Sequence, residues 1–348
     1  MDLETTWRDC RYLQDLLDQP DAVARTIDGL EEEDDPGAPA RRLAAGRFRR
    51  VVLTGMGSSY WACRPLYLRL LAGGRTPAMV ETGELIHFER DWLSEDTLVV
   101  AVSQSGRSAE IVRLLELARG RAEILGVTNA PDSPLGTHSA GVLATRAGAE
   151  HTVSCKTYLA TMVALEWLGD LLCAGDTAAL GTQVREIVDP MRNYLLRWRV
   201  HTEELMRSLT GATEIFVVGR GGSLAAAGTG GLILKESTHC HGEGMSAAAF
   251  RHGPFEMVSG EVFVLVLEGD DRAALLNRKL AADITAAGGR AAMVSPLADG
   301  ALRIPRVSGR MLPLLEILPV QMMTLAQAAA KGKEPGTFTR ATKVTEVE

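Results

Sequence analysis

Val102-Ser103-Gln104-Ser105-Gly106-Arg107-Ser108 closes the apolar run Leu98-Val99-Val100-Ala101-Val102 and opens a helix-like stretch, Ala109 to Ala118. An apolar run, then small polar residues, then helical periodicity reads as a buried strand, a tight loop and a helix. Upstream the same order recurs: Val51-Val52-Leu53, then Gly55-Met56-Gly57-Ser58-Ser59, then a helix-like stretch through Leu71. Downstream, Ile124-Leu125-Gly126-Val127 runs into Thr128-Asn129. Apolar strands alternating with helices imply a parallel sheet buried on both faces.

The pattern then restarts. Ile215-Phe216-Val217-Val218 leads into Gly219-Arg220-Gly221-Gly222-Ser223, and Val262 to Leu267 and Ala291 to Val294 follow as strands. Gly55 to Gly219, Val102 to Leu267 and Thr128 to Ser295 are each offset by about 165 residues, which points to internal duplication. The predicted fold class is α/β, with two tandem doubly wound parallel-sheet domains, each a three-layer α/β/α sandwich. The expected division is an N-terminal helical segment and linker (1–40), a first domain (41–195), a second domain (196–330) and a C-terminal tail (331–348). Thr5 to Gly29 is amphipathic with a break at Gln19-Pro20, and the acidic, proline-containing Glu31 to Pro39 reads as an exposed linker. Lys156 to Leu209 reads as helix broken at Pro190, and the polar tail from Lys331 as an arm.

The 348 residues are 46% hydrophobic and 23% charged, with a formal net charge of −7 and a sequence pI near 5.6. That balance argues against non-specific nucleic-acid binding, which draws on a basic excess. Five scattered cysteines, with no CxxC pair, fit a reducing compartment better than a disulfide framework or structural zinc. The polar start carries no signal peptide, and no apolar run reaches membrane-spanning length without glycine or charge, so a cytoplasmic protein without membrane contact is expected. No cofactor and no metal are expected. His239 and His241 are close in sequence but lack a ligand set with the usual spacing.

In an open parallel sheet, ligands bind beyond the carboxyl ends of the strands. Two strand ends of the first half are dense in hydroxyls: Ser58 and Ser59 on one, Ser103, Ser105 and Ser108 with Gln104 on the other. Gly57 and Gly106 let backbone approach a ligand closely. Helices opening after such loops offer N–H groups and a positive dipole end, which suit a phosphate monoester. Either loop alone reads better as ordinary helix capping; the two together, with Ser103-Gln104-Ser105-Gly106 at one of them, point to a phosphate site. There is no GxxxxGK[ST] P-loop, and Gly219-Arg220-Gly221 lacks the final glycine of a dinucleotide fingerprint.

Ser103 to Ser108 resembles the SQSG[E/R][ST] signature of the sugar isomerase (SIS) domain. The chain resembles the isomerase half of glucosamine-6-phosphate synthase over nearly its whole length, and is similar to SIS-type glucosamine-6-phosphate deaminases. Supporting stretches are Asp18-Gln19-Pro20, Thr128-Asn129 with Ser133-Pro134-Leu135, Gly148-Ala149-Glu150, Val153 to Tyr158, Gly219-Arg220-Gly221, Leu234-Lys235-Glu236, Arg251-His252-Gly253-Pro254 and Lys343-Val344-Thr345. The resemblance implies phosphate binding by the first half and acid/base groups in the second. It puts the proton-shuttling carboxylate at Glu236, the ring-opening histidine at His252, and at Lys343 a lysine able to form a Schiff base with an open-chain sugar. It also puts sugar contacts at Val153 and Ser154. In the family the histidine of one subunit completes the site of another, which implies a homodimer with a shared site. No stretch resembles the synthase's glutaminase domain.

The departures are specific. Ile233 stands where the synthase has a second lysine, and Thr229 and Ala249 where it has glutamates. Gly228, Gly230 and Gly231 occupy a helix that is usually alanine-rich, which would leave room for a different ligand. Arg107, where the synthase has Glu, resembles the deaminase group. The resulting expectation is an isomerase/deaminase that converts an aminosugar 6-phosphate to a ketose 6-phosphate and ammonia. Two alternatives stand beside it: a ketosamine-phosphate deglycase or specialised isomerase, and a non-catalytic sugar-phosphate sensor.

Overall fold

Among the described residues nine strands form two sheets, and every pairing within them is parallel. The first holds β1 (Arg50–Gly55), β2 (Pro77–Glu81), β3 (Thr97–Val102), β4 (Glu123–Thr128) and β5 (Gly141–Ala144) in the order β2-β1-β3-β4-β5. The second holds β6 (Glu214–Gly219), β7 (His241–Ser246), β8 (Val262–Leu267) and β9 (Arg290–Val294) in the order β7-β6-β8-β9. The central strands are the apolar runs of the sequence, and β3 and β8 are buried at every residue. The shared order bears out two parallel α/β domains of one design. The computed structural model describes residues 3–32, 38–340 and 342–345.

The chain divides into two compact units. One contains the first sheet and comprises 19–150, 154–188 and 340–348; the other contains the second sheet and comprises 1–18, 151–153 and 189–339. In the first-sheet unit, α1 (Gln19–Glu32), α2 (Ala109–Ala118) and α3 (Lys156–Leu172) surround the strands. Val52, Val99, Ile111, Leu114 and Leu135 meet in its core. Arg69 reaches α3, where it pairs with Asp170 and lies 3.5 Å from Glu166.

The helix α4 (Thr177–Leu195) runs through Pro190 without ending there, contrary to the break expected from sequence. Proline removes one N–H and presses on the carbonyl four residues back, which belongs here to exposed Glu186, where water can satisfy it. The breaks fall instead at Cys173–Asp176 and Leu196–Arg197. The expected linker is shorter than drawn: α1 extends to Glu32 and a helix resumes at Ala38, while 33–37 lie outside the described residues.

In the second-sheet unit, α5 (Leu224–Thr238), α6 (Asp271–Ala286) and α7 (Leu312–Ala330) enclose a core of Phe216, Val218, Phe250, Val264 and Ile284. The start of the chain packs within this unit: Trp7 stacks on Trp198 with centroids 6.1 Å apart, and the Tyr12 hydroxyl shares a 3.1 Å hydrogen bond with Thr324. By length and composition α7 could cross a membrane, but 94% of its apolar window is buried, so it is this unit's core helix.

The glycines of α5 do not leave room for a ligand, a correction to the expectation from composition. A Cβ at Gly231 would overlap the backbone of Glu243 and Gly244, and one at Gly244 would overlap Ala227. These glycines let α5 lie directly on the β7 backbone.

Candidate functional site

Gly55, the last residue of β1, is in register with Val102, the last of β3. The two hydroxyl-rich loops therefore leave neighbouring parallel strands at one level. After Gly57 (φ 54°) the chain turns into a short helix, Ser58–Ala62, and a second one begins at Arg64. Ser58 is buried, and its Oγ has no hydrogen-bond partner among the described residues. A buried unpaired hydroxyl costs about 1–3 kcal/mol, so one at the start of a strand-end helix suits an acceptor brought by a ligand. Ser59 is half-buried.

The β3 loop is fastened from the β4 side. Asn129 N–H donates to the Gln104 carbonyl at 3.1 Å, the Thr128 hydroxyl donates to the same carbonyl at 3.3 Å, and Leu135 N–H donates to Gly106 O at 3.0 Å. Ser103 Oγ accepts the Gly106 N–H at 3.2 Å, and Ser105 Oγ accepts the Arg107 N–H at 3.4 Å. Gly106 has φ +62°, and a Cβ there would strike the Ser133 side chain, so both conformation and space require glycine. Ser108 is extended and occupies the N-cap position of α2, yet its hydroxyl makes no cap bond. The loops thus present side-chain hydroxyls and the start of a ten-residue helix on a fixed backbone.

Asn129, quoted from sequence only within the strand-end stretch Thr128-Asn129, was given no role there. Its side chain accepts from Thr145 Oγ1 at 3.0 Å and Ala147 N–H at 2.8 Å, and donates to Gly148 O at 2.8 Å. It ties the β4 loop to the segment leaving β5. That segment reaches Glu150, a buried carboxylate that accepts from Cys155 N–H (2.9 Å), Thr157 N–H (3.1 Å) and Thr157 Oγ1 (2.7 Å). Lys343 of the tail places its Nζ 2.5 Å from Glu150 Oε2. Val153 and Ser154 lie on the turn between Glu150 and Cys155, Val153 buried and Ser154 half-buried.

In the second-sheet unit, Glu236 is half-buried near the end of α5. This helix runs antiparallel along β7, with Ala227 against Gly244 and Leu234 against Gly242. Glu236 therefore sits towards the amino end of β7. His252 lies beyond the carboxyl end of β7, exposed, at the C-cap of the short helix Ala247–Arg251. Six strand residues separate the two ends by roughly 20 Å. The structure does not bring Glu236 and His252 together within one chain. The His252 turn is nevertheless well held: Ser246 Oγ accepts Ala249 N–H at 2.9 Å, Arg251 pairs with Asp283 at 2.6 Å, and Phe250 packs edge-on to Phe216. The Arg251 guanidinium holds the Asp283 carboxyl below its ordinary range.

Of the two histidines weighed as metal ligands, His239 takes the left-handed C-cap of α5 and His241 pairs with Glu214. Among the described residues no three His, Cys, Asp or Glu side chains cluster as a metal site. A residue that sequence reasoning missed is Glu316, fully buried on α7, with Oε1 accepting Gly269 N–H at 3.2 Å. Burial pushes its pKa up to about 7, Ser223 and Gly269 lower it by hydrogen bonding, and Asp270 and Glu268 add to the rise. It is the lone charged residue in an apolar helix, a signal that could have found it.

Two parallel α/β units of one strand order, one with hydroxyl loops at adjacent strand ends, define a duplicated fold with a candidate ligand cradle in its first copy. The SIS domain model matches twice, over residues 47–169 and 208–331, and the chain belongs to the SIS domain family. It is 28% identical over 341 residues to a Pyrococcus horikoshii glutamine–fructose-6-phosphate aminotransferase (isomerizing), an alignment covering 93% of this chain and 55% of that one. The chain thus spans about half the length of the curated relatives it matches. In fold it is similar to glucosamine-6-phosphate deaminase from Thermotoga maritima (TM-score 0.78, 17% identity, 97% of this chain and 100% of that one). It is also similar to tagatose-6-phosphate ketose/aldose isomerase from Escherichia coli (TM-score 0.79, 17% identity, 94% and 96%).

Proposed function

We propose that the protein is a sugar-phosphate isomerase/deaminase that converts an aminosugar 6-phosphate, such as glucosamine 6-phosphate, to the ketose 6-phosphate and ammonia. The observation that carries this reading is the pair of hydroxyl-rich loops on adjacent strand ends, one of which holds the buried Ser58 hydroxyl, unpartnered among the described residues. Ser58, Ser59, Ser103, Gln104, Ser105 and Ser108, with the backbone at Gly57 and Gly106, would bind the phosphate. Val153 and Ser154 would contact the sugar. The family and the relatives' names supply the class of substrate.

In this reading His252 opens the sugar ring as an acid/base, and Glu236 takes the proton from C2 and returns it to C1. The resulting C2 imine is hydrolysed by one water to the ketose, releasing ammonia. Lys343 would engage the open-chain carbonyl. The placement of Glu236 and His252 towards opposite ends of β7 supports a homodimer in which one chain's His252 serves its partner's Glu236. Glu236→Gln keeps size and hydrogen bonding but removes the base. It should abolish turnover while retaining sugar-phosphate binding by calorimetry, and full activity in the variant would overturn the assignment.

A specialised isomerase or ketosamine-phosphate deglycase is the second reading, favoured by Ile233 and Thr229. Both are fully buried, so no charged side chain stands where the synthase has lysine and glutamate. Turnover of a fructosamine phosphate with none of glucosamine 6-phosphate would select it.

A further inference from the structure

We infer that Glu150 is the positioning residue of this site: one buried carboxylate that shapes the turn carrying Val153 and Ser154 and also holds Lys343 in place. The inference rests on the proposed role of Lys343, although its structural half stands without it.

The Glu150 side chain is fully buried, where a carboxylate persists only if its oxygens are paired. Four donors meet it. Oε1 accepts the N–H groups of Cys155 and Thr157, and Oε2 accepts the Thr157 hydroxyl and the Lys343 ammonium. Cys155 is the N-cap of α3 but supplies no side-chain cap bond. Glu150 takes over that capping from five residues upstream, and its charge suits the positive end of a 17-residue helix. The backbone from Glu150 to Thr157 is thereby closed into a turn, and the two proposed sugar-contact residues lie on it.

The same carboxylate is the anchor of the tail. Lys343 is a long, flexible side chain on a polar segment, and its own side chain is 23% exposed. A second tether lies nearby in the chain: Ala109 N–H donates to Thr345 O at 3.1 Å. Ala109 is the first residue of α2, directly after the Ser103–Ser108 loop. Of these two tethers, the ion pair has the buried partner, so Glu150 has more to lose from separation than an exposed acid would. A lysine meant to meet a sugar carbonyl must be presented in one place, and Glu150 fixes that place from the turn that would touch the sugar.

The test uses the whole chain with Glu150→Gln, which keeps an acceptor for Cys155 and Thr157 but loses the charge that holds Lys343. Amide exchange at Ala109 and in residues 342–345 should quicken by about tenfold or more as the tail opens. The turnover number for glucosamine 6-phosphate should fall about tenfold to hundredfold with little change in KM. Lys343→Met releases the tail from the other side and guards against misfolding at the cap. It should give the same exchange increase, and the double variant should turn over no more slowly than Lys343→Met alone. Unchanged exchange in both single variants would overturn the tether. Faster exchange with undiminished turnover would overturn the positioning role. A protein that turns over no aminosugar phosphate would fail the proposed function while the exchange arm still decides the tether.

Discussion

The first and second sheets share the order of their first four strands, yet the loops after β3 and β8 carry opposite chemistry. After β1 and β3 come Ser58, Ser59, Ser103 and Ser105 on glycine-bearing turns, with the Ser58 hydroxyl unpartnered. After β6 comes Arg220-Gly221-Gly222-Ser223, but after β8 come Glu268, Gly269 and Asp270, and the Gly269 N–H is already taken by buried Glu316. The protein's own carboxylate uses a backbone donor that, in the first half, an incoming anion could use. Duplication kept the sheet, and divergence at the strand ends left one half suited to an anion and the other to its own acidic groups.

The sharpest way to break this contrast is to put a negative charge in each loop's place and remove it from the other. Ser105→Asp should weaken glucosamine 6-phosphate binding about hundredfold or more, because a like charge at the cradle costs several kcal/mol. Asp270→Asn, which keeps an N-cap side chain for α6, should leave that affinity unchanged. Calorimetric titration checks both, and equal weakening would show that the two loops are not functionally distinct.

Next in size is the contact between α5 and β7. Gly231→Ala should cost about 3 kcal/mol in denaturant unfolding, because the added methyl overlaps backbone that cannot move aside. In the first-sheet unit, Gly83 on the helix Thr82–His87 has open space around a Cβ. Gly83→Ala should therefore be neutral or stabilise by about 0.5–1 kcal/mol.

Glu316 makes the second half sensitive to pH. Its folded pKa, about 7, lies above the ordinary carboxylate value of 4.5, so the fold holds a proton that the unfolded chain releases. Stability should decline as pH rises from 4.5 to about 7 and then level off. Glu316→Gln should flatten that decline and stabilise the protein above pH 7 by up to about 3 kcal/mol. A smaller slope of opposite sign belongs to His201, buried against Tyr194 at 4.4 Å. Burial, with Arg197 assisting, lowers its pKa from 6.5, so stability should be lost as pH falls below 6.5. His201→Phe should remove that acid-side loss in thermal melts taken across pH.

The sequence revealed the centre of each sheet and the edge strand β9, and hid the edge strands β2, β5 and β7. β1, β3, β4, β6 and β8 are apolar runs because both their faces are covered. By contrast β7 reads His-Gly-Glu-Gly-Met-Ser, an edge strand with a polar exposure pattern and glycines chosen for α5 rather than for strand propensity. Pro190 misled because a local rule about helix interiors gave way to an exposed carbonyl that water can satisfy. The loops bearing Ser58 and Ser59 and Ser103 to Ser108 were legible as strand-end turns, because small polar residues right after an apolar run end a buried strand. Glu150 was visible only as part of a resemblance, since its partner Lys343 is 193 residues away and spacing cannot announce such a pair.

The most direct test of the central claim is the simultaneous assay of ammonia and fructose 6-phosphate released from glucosamine 6-phosphate by the purified protein. The account predicts both products at equal rates, and neither with Glu236→Gln. Tight binding of the sugar phosphate with no release of either product would contradict it.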